Sequence, residues 1–185
     1  MGDYNTDNLA GGAATKRESR MMTGLFRDRE SAEGAYRSLN TRGYGKDDVN
    51  LLMSDETRKK HFADNDSELG TKAWEDAGKG AAIGGGVGAT LAAIAAIGTT
   101  LALPGLGLLI AGPLAALFAG GGAGALTGGL IGALVGHGIP EEHAKQYDQG
   151  IRDGGIVMGV NPRTPEDAEY FENEWRNNRA ESLYR

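Results

Sequence analysis

The chain has 185 residues, no cysteine and a formal net charge of −6. That length suits one domain or a small domain with an insertion, and the absence of cysteine excludes disulfides, thiolate metal sites and cysteine nucleophiles. The acidic balance argues against a nucleic-acid binder, which presents a basic face.

Glycine is the outlier, with 31 residues against an ordinary share of ~7%. Charge is partitioned just as sharply: the 61 residues from Gly80 to Pro140 contain no Asp, Glu, Lys or Arg. Two charge-rich flanks therefore enclose one long uncharged stretch.

In chain order, residues 1–20 are polar and rich in Gly and Ala. They lack the apolar core of a signal peptide and read as a disordered tail, so export by that route is not expected. Met21–Phe26 reads as a strand. Asp28 offers an N-cap to a helix whose buried stripe is Ala32, Ala35, Tyr36 and Leu39, with Gly43 placed to end it. Asp48–Met53 is a second strand, which makes a β-α-β unit with a right-handed crossover. Ser54–Thr57 can cap a short helix through Phe62, and 63–70 reads as a polar loop.

Within the uncharged stretch, Gly80, Gly84, Gly88, Ala92 and Ala96 recur every fourth residue, as do Gly112, Ala116, Gly120, Gly124, Gly128, Gly132 and Gly136. On a helix such positions form a ridge without side chains, along which another backbone can approach closely. Pro104, Gly105 and Gly107 mark a turn between the runs, and Pro113 suits the first turn of the second helix. Helices over 80–103 and 113–136 would each span ~36 Å at ~1.5 Å per residue, against a bilayer core of ~30 Å. Lys72, Trp74, Lys79 and His137 flank this hairpin as candidate anchors at a membrane interface. The same apolar faces would equally be hidden inside a soluble homo-oligomer.

Beyond the hairpin, Pro140 and the acidic pair Glu141 and Glu142 open a helix with Ala144, Tyr147 and Ile151 inward, ended by Gly154 and Gly155. Ile156–Val160 is the third strand. Thr164 and Pro165 start a last helix carrying Ala168, Phe171 and Trp175, with a fraying end beyond Trp175. The expected fold class is α/β (α+β). A three-stranded sheet with packed helices, a small ferredoxin-like or flavodoxin-like sandwich, is made from 21–79 plus 138–185 and interrupted by a glycine-zipper helical hairpin over 80–137.

Candidates for chemistry are few. Gly84–Gly88 lacks the Lys-Ser/Thr of a phosphate-binding loop and follows no strand. His61, His137 and His143 lack metal-ligand spacing, and Arg58–His61 reads as a solvated basic face or a lure for anionic lipid. No catalytic residue, cofactor or metal is expected, and no small-molecule substrate or nucleic-acid partner is inferred.

Met22-Thr23-Gly24-Leu25-Phe26 followed by an Asp-Arg-x-x-Ala-Glu helix resembles the opening of bacterial general stress proteins, described as heat-induced or low-temperature-induced. Asp48–Ser54, Pro104–Gly107, Ala111–Leu114 and Gly138–Glu142 with Tyr147 and Gly154-Gly155 resemble that family's second strand, hairpin and hairpin exit. The resemblance covers residues 21–160 and implies a bacterial, non-enzymatic, stress-associated protein, with no catalytic residues to carry over. The combined expectation is a protein that self-associates and engages the inner membrane through its hairpin, with a cytoplasmic head. The alternative is a soluble cytoplasmic assembly acting as scaffold or storage particle.

Overall fold

Alternation along the strands decides the architecture. Met22, Phe26, Leu51, Met53, Ile156 and Met158 turn to one face of a sheet, whereas Leu25, Leu52 and Val157 turn to the other, and all are buried. A sheet buried on both faces needs a helical layer on each side. The computed structural model describes residues 21–62, 101–103, 107–119 and 125–185.

The elements run β1 (Met22–Phe26), α1 (Arg29–Thr41), β2 (Val49–Ser54), α2 (Asp55–Phe62), β3 (Leu101–Leu103), β4 (Leu108–Ala111), α3 (Pro113–Ala119), α4 (Ala125–Gly136), α5 (Glu141–Arg152), β5 (Ile156–Val160), α6 (Pro165–Asn177) and β6 (Glu181–Tyr184). The caps follow their side-chain chemistry. Ser31 N–H donates to Asp28 Oδ1 (2.8 Å), Thr57 N–H to Ser54 Oγ (3.0 Å) and Asp167 N–H to Thr164 Oγ1 (3.0 Å). Gly43 (φ +73°) closes α1.

The sheet has six strands in the order β3-β4-β2-β5-β1-β6, and every neighbouring pair is antiparallel. The mixed helix-and-strand class matches expectation. The strand count does not, and the all-antiparallel pairing rules out the flavodoxin-like form. β1 and β2 are parallel to each other but not adjacent, because β5 lies between them and pairs with both, Leu25↔Val157 on one side and Leu52↔Val157 on the other. The β5-α6-β6 unit straddles β1 in the same way. The two split β-α-β units thus interlock, with α1 and α6 packed together on one face.

The uncharged stretch departs most from expectation. Leu101–Leu103, expected to end a helix, is a strand, and Leu108–Ala111 pairs with it and with β2. A short apolar run reads equally as buried helix or buried strand; here Leu101–Leu103 and Leu108–Ala111 pair antiparallel and the pair fills the free edge of β2, with Gly107 (φ +56°) directly before β4. Of the second expected helix, the described parts are α3 and α4, and α4 is kinked at Gly129 (φ +59°). Residues 80–100, where the first helix is expected, lie outside the described residues. No helix among the described residues is long and apolar enough to cross a membrane.

Two cores result. α1, α2 and α6 cover one face of the sheet through Tyr36, Leu39, Phe62, Phe171 and Trp175; α3, α4 and α5 cover the other through Leu114, Phe118, Leu130, Leu134, Tyr147 and Ile151.

Candidate functional site

The sheet separates two unlike surfaces. The layer of α1 and α6 carries ion pairs such as Arg42–Asp167 (3.5 Å) and Arg176–Glu172 (2.5 Å). The layer of α3 and α4 carries no charged residue at all, and its outer side is the candidate interface.

Two contacts fix this layer to the sheet, and a ring stack ties α3 to the end of α4. Pro113, the first residue of α3, needs no backbone acceptor. The N–H of Leu114 then donates to the side-chain Oδ1 of buried Asn50 on β2, at 2.7 Å. Gly112 (φ +94°) lies against the β2 backbone so closely that a Cβ there would collide with the Val49 carbonyl oxygen. At the far end, the Phe118 and His137 rings stack at 5.8 Å and 3°. His137 Nδ1 donates to the Ala133 carbonyl oxygen at 2.7 Å.

On α4, Leu130, Ala133 and Leu134 point inward. Outward lie Gly128 and Gly136, where an added Cβ would meet nothing within 4 Å, and Val135, which is 42% exposed. Gly132 and Ile131 are half-buried, and Ala116, Pro113 and Gly138 are exposed. The border of this face is acidic: Glu141 and Glu142 are exposed, and Glu141 is paired with Lys145 at 2.6 Å. The Lys145 ammonium holds the Glu141 carboxyl below its ordinary value.

The other expected site residues fall as follows. Gly112 belongs to a tight turn and not to a helical ridge, because its left-handed backbone and its contact with Val49 take it out of any helix. Ala116, Gly128, Gly132 and Gly136 do lie in helices. Gly80, Gly84, Gly88, Ala92, Ala96, Gly120 and Gly124 fall outside the described residues, as do Pro104, Gly105, Lys72, Trp74 and Lys79.

The sequence reading missed Asn50, and the signal was present: one amide inside the apolar run Val49-Asn50-Leu51-Leu52-Met53. It also missed the hydroxyl network of Tyr147, which accepts from Thr23 Oγ1 (2.8 Å) and donates to the Ser182 carbonyl (2.6 Å). Burial raises the Tyr147 phenol well above its ordinary value.

Conventional active-site geometry is sparse. Among the described residues no group of three or more His, Asp or Glu converges to hold a metal. Burial, together with Lys60 and Arg29, lowers His61 below its ordinary value. An open cleft of about 480 Å³ lies between α5 and the β1–β6 edge, lined by Leu25, Arg27, Lys145, Gln146, Gln149, Gly150 and Ser182. Its two cations are already paired, Lys145 with Glu141 (2.6 Å) and Arg27 with Glu181 (2.8 Å). No protein-family model, curated protein or solved structure matches the chain.

Proposed function

We propose that this chain is a non-enzymatic, stress-associated bacterial protein that self-associates through its uncharged glycine-rich segment and engages the cytoplasmic side of the inner membrane with it. The observation that carries the reading is the charge partition: 61 consecutive residues without a charged side chain, whose described part leaves small and apolar groups (Gly128, Val135, Gly136) on its outer side. Small residues let a partner backbone approach closely, in lipid or in a protein assembly.

A second reading is a soluble homo-oligomeric scaffold. It is favoured by the eight large side chains among the described residues, Leu108, Leu109, Ile110, Leu114, Phe118, Leu130, Leu134 and Ile139, that this segment buries in the chain's own cores.

Flotation of a native lysate on a density gradient, followed by an alkaline carbonate wash of the membranes, separates the two. Protein that floats and resists the wash supports membrane engagement. A large lipid-free particle supports the scaffold, and a lipid-free monomer refutes both. Gly128→Leu and Gly136→Leu add side chains into open space in the single chain, so either should fold normally while weakening assembly. Unchanged assembly in both variants would remove the outer side of α4 as the contact.

A further inference from the structure

We infer that β6 is an exchangeable strand, which one copy of this chain can lend to the β1 edge of a second copy. The inference stands apart from the uncharged face, since it concerns the opposite edge of the sheet.

β6 is an edge strand joined to α6 by only three residues, Asn178–Ala180. In this connection sits Arg179 at φ +61°, and within β6 sits Ser182 at φ +48°. Among the described residues these are the two non-glycine positions with left-handed backbone, which the Cβ of an L residue disfavours. The pairing with β1 is correspondingly irregular. Thr23 faces Tyr184 and Leu25 faces Glu181, so β6 carries one extra residue between the two pairs.

The strained hinge is held from α1, where Arg179 Nε donates to Ser31 Oγ (3.1 Å) and Nη2 to Asp28 Oδ1 (3.3 Å). Short hinges under strain favour strand exchange, because the open form relaxes them. The contacts that seat β6 are indifferent to which chain supplies it. Arg27 Nε–Glu181 (2.8 Å), Tyr147 Oη to the Ser182 carbonyl (2.6 Å) and Tyr184 Oη to the Gly138 carbonyl (3.2 Å) each join β6 to elements far from the hinge in sequence. All three would re-form between two copies, which is what makes exchange a low-cost route to a dimer.

The chain has no cysteine, so introduced thiols report without background. Arg27→Cys and Glu181→Cys in one chain should cross-link within that chain through a short bismaleimide. The two single variants, incubated together at high concentration and mild warmth, should give a cross-linked dimer containing one of each. Arg179→Gly and Arg179→Ala both lose the contacts to Ser31 and Asp28, but only glycine relieves the left-handed strain in the closed form. The dimer yield should therefore be roughly fivefold lower with Arg179→Gly in both chains than with Arg179→Ala in both, equivalent to about 1 kcal/mol.

The inference is overturned if the double variant links internally while the mixture gives no linked dimer, or if the Arg179→Gly and Arg179→Ala chains give the same dimer yield. It is equally overturned if the double variant fails to link, since β6 would then not lie on β1. Dimers that form by size but never link 27 to 181 would refute strand exchange and leave self-association through the uncharged face intact.

Discussion

Replacing Asn50 by alanine tests whether the uncharged segment is part of the folded core. The side chain is 1% exposed, its Oδ1 accepts the Leu114 N–H at 2.7 Å, and its Nδ2 makes only long contacts, 3.5 Å to the Gly159 carbonyl and 3.7 Å to Met21 Sδ. Truncation leaves the Leu114 N–H buried without an acceptor, which costs ~1–3 kcal/mol. The long amide contacts add little. The expected loss is therefore about 2 kcal/mol, or roughly 4–8 °C in Tm for a chain of this size. Asn50→Asp keeps the acceptor and sets a negative charge at the N-terminus of α3, which the helix dipole favours but burial opposes. Urea unfolding monitored by tryptophan fluorescence gives the free energy, and amide exchange at Leu114 and Ala115 locates it. If Asn50→Ala changes stability by less than about 0.5 kcal/mol, the value expected of a neutral surface site, then α3 is not docked on β2 in solution. The packing of the whole second layer would be refuted with it.

Gly112→Ala should be worse than Asn50→Ala: the left-handed conformation alone costs ~1–2 kcal/mol, and the new Cβ collides with the Val49 carbonyl. Thermal melts check this, and an unchanged Tm would deny that contact. Tyr147→Phe removes the link between Thr23 and Ser182; a loss of ~1–2 kcal/mol is expected from two hydrogen bonds to one buried hydroxyl, with faster amide exchange in β6 than in β5. His61 supplies a pH dependence. Burial lowers its folded pKa below the ordinary value of 6.5, so the unfolded chain takes up the proton first. Its contribution is intact above that value and is lost as pH falls from 6.5 through the lowered folded pKa. Chemical denaturation between pH 7 and 5 should show a smaller decline for His61→Gln than for the parent, and equal declines would remove His61 as a cause.

What was legible in the sequence was local. Asp28, Thr164 and Ser54 declare their caps because each competes for an unpaired N–H within three residues, and Ala144, Tyr147 and Ile151 declare a buried stripe by their spacing. What was not legible depended on the sheet as a whole. Nothing in Ile156–Val160 says that it inserts between β1 and β2; that follows from having two unsatisfied edges and one antiparallel strand to satisfy both. Leu101–Leu103 and Leu108–Ala111 carry no period that separates strand from helix, and the available edge of β2 decides. β6 is four residues with one aliphatic side chain, Leu183, too short to announce itself. The four-residue glycine spacing was real as a pattern, but a pattern does not fix the conformation of each member. Gly112 serves a turn and Gly129 a kink, while Gly128 and Gly136 face open space.

Those differences change what the uncharged segment has left to offer a partner. Without α3 and α4, Leu52, Val157, Leu108 and Ile110 would leave the second face of the sheet exposed to water, so much of the segment's bulk apolar surface is committed internally. The outer side of α4 then presents mainly missing side chains, with Val135 the exposed large apolar group among the described residues. Such a surface gains little from bulk burial, at ~25 cal/mol per Å² of apolar area, and a good deal from close backbone approach. Contact through it should therefore be sensitive to shape. A single added methyl at Gly128 should weaken assembly only slightly and a leucine severely, whereas a purely hydrophobic contact would be strengthened by both. Sedimentation of Gly128→Ala beside Gly128→Leu distinguishes the two cases, and tighter assembly in the leucine variant would refute close packing as the basis of self-association.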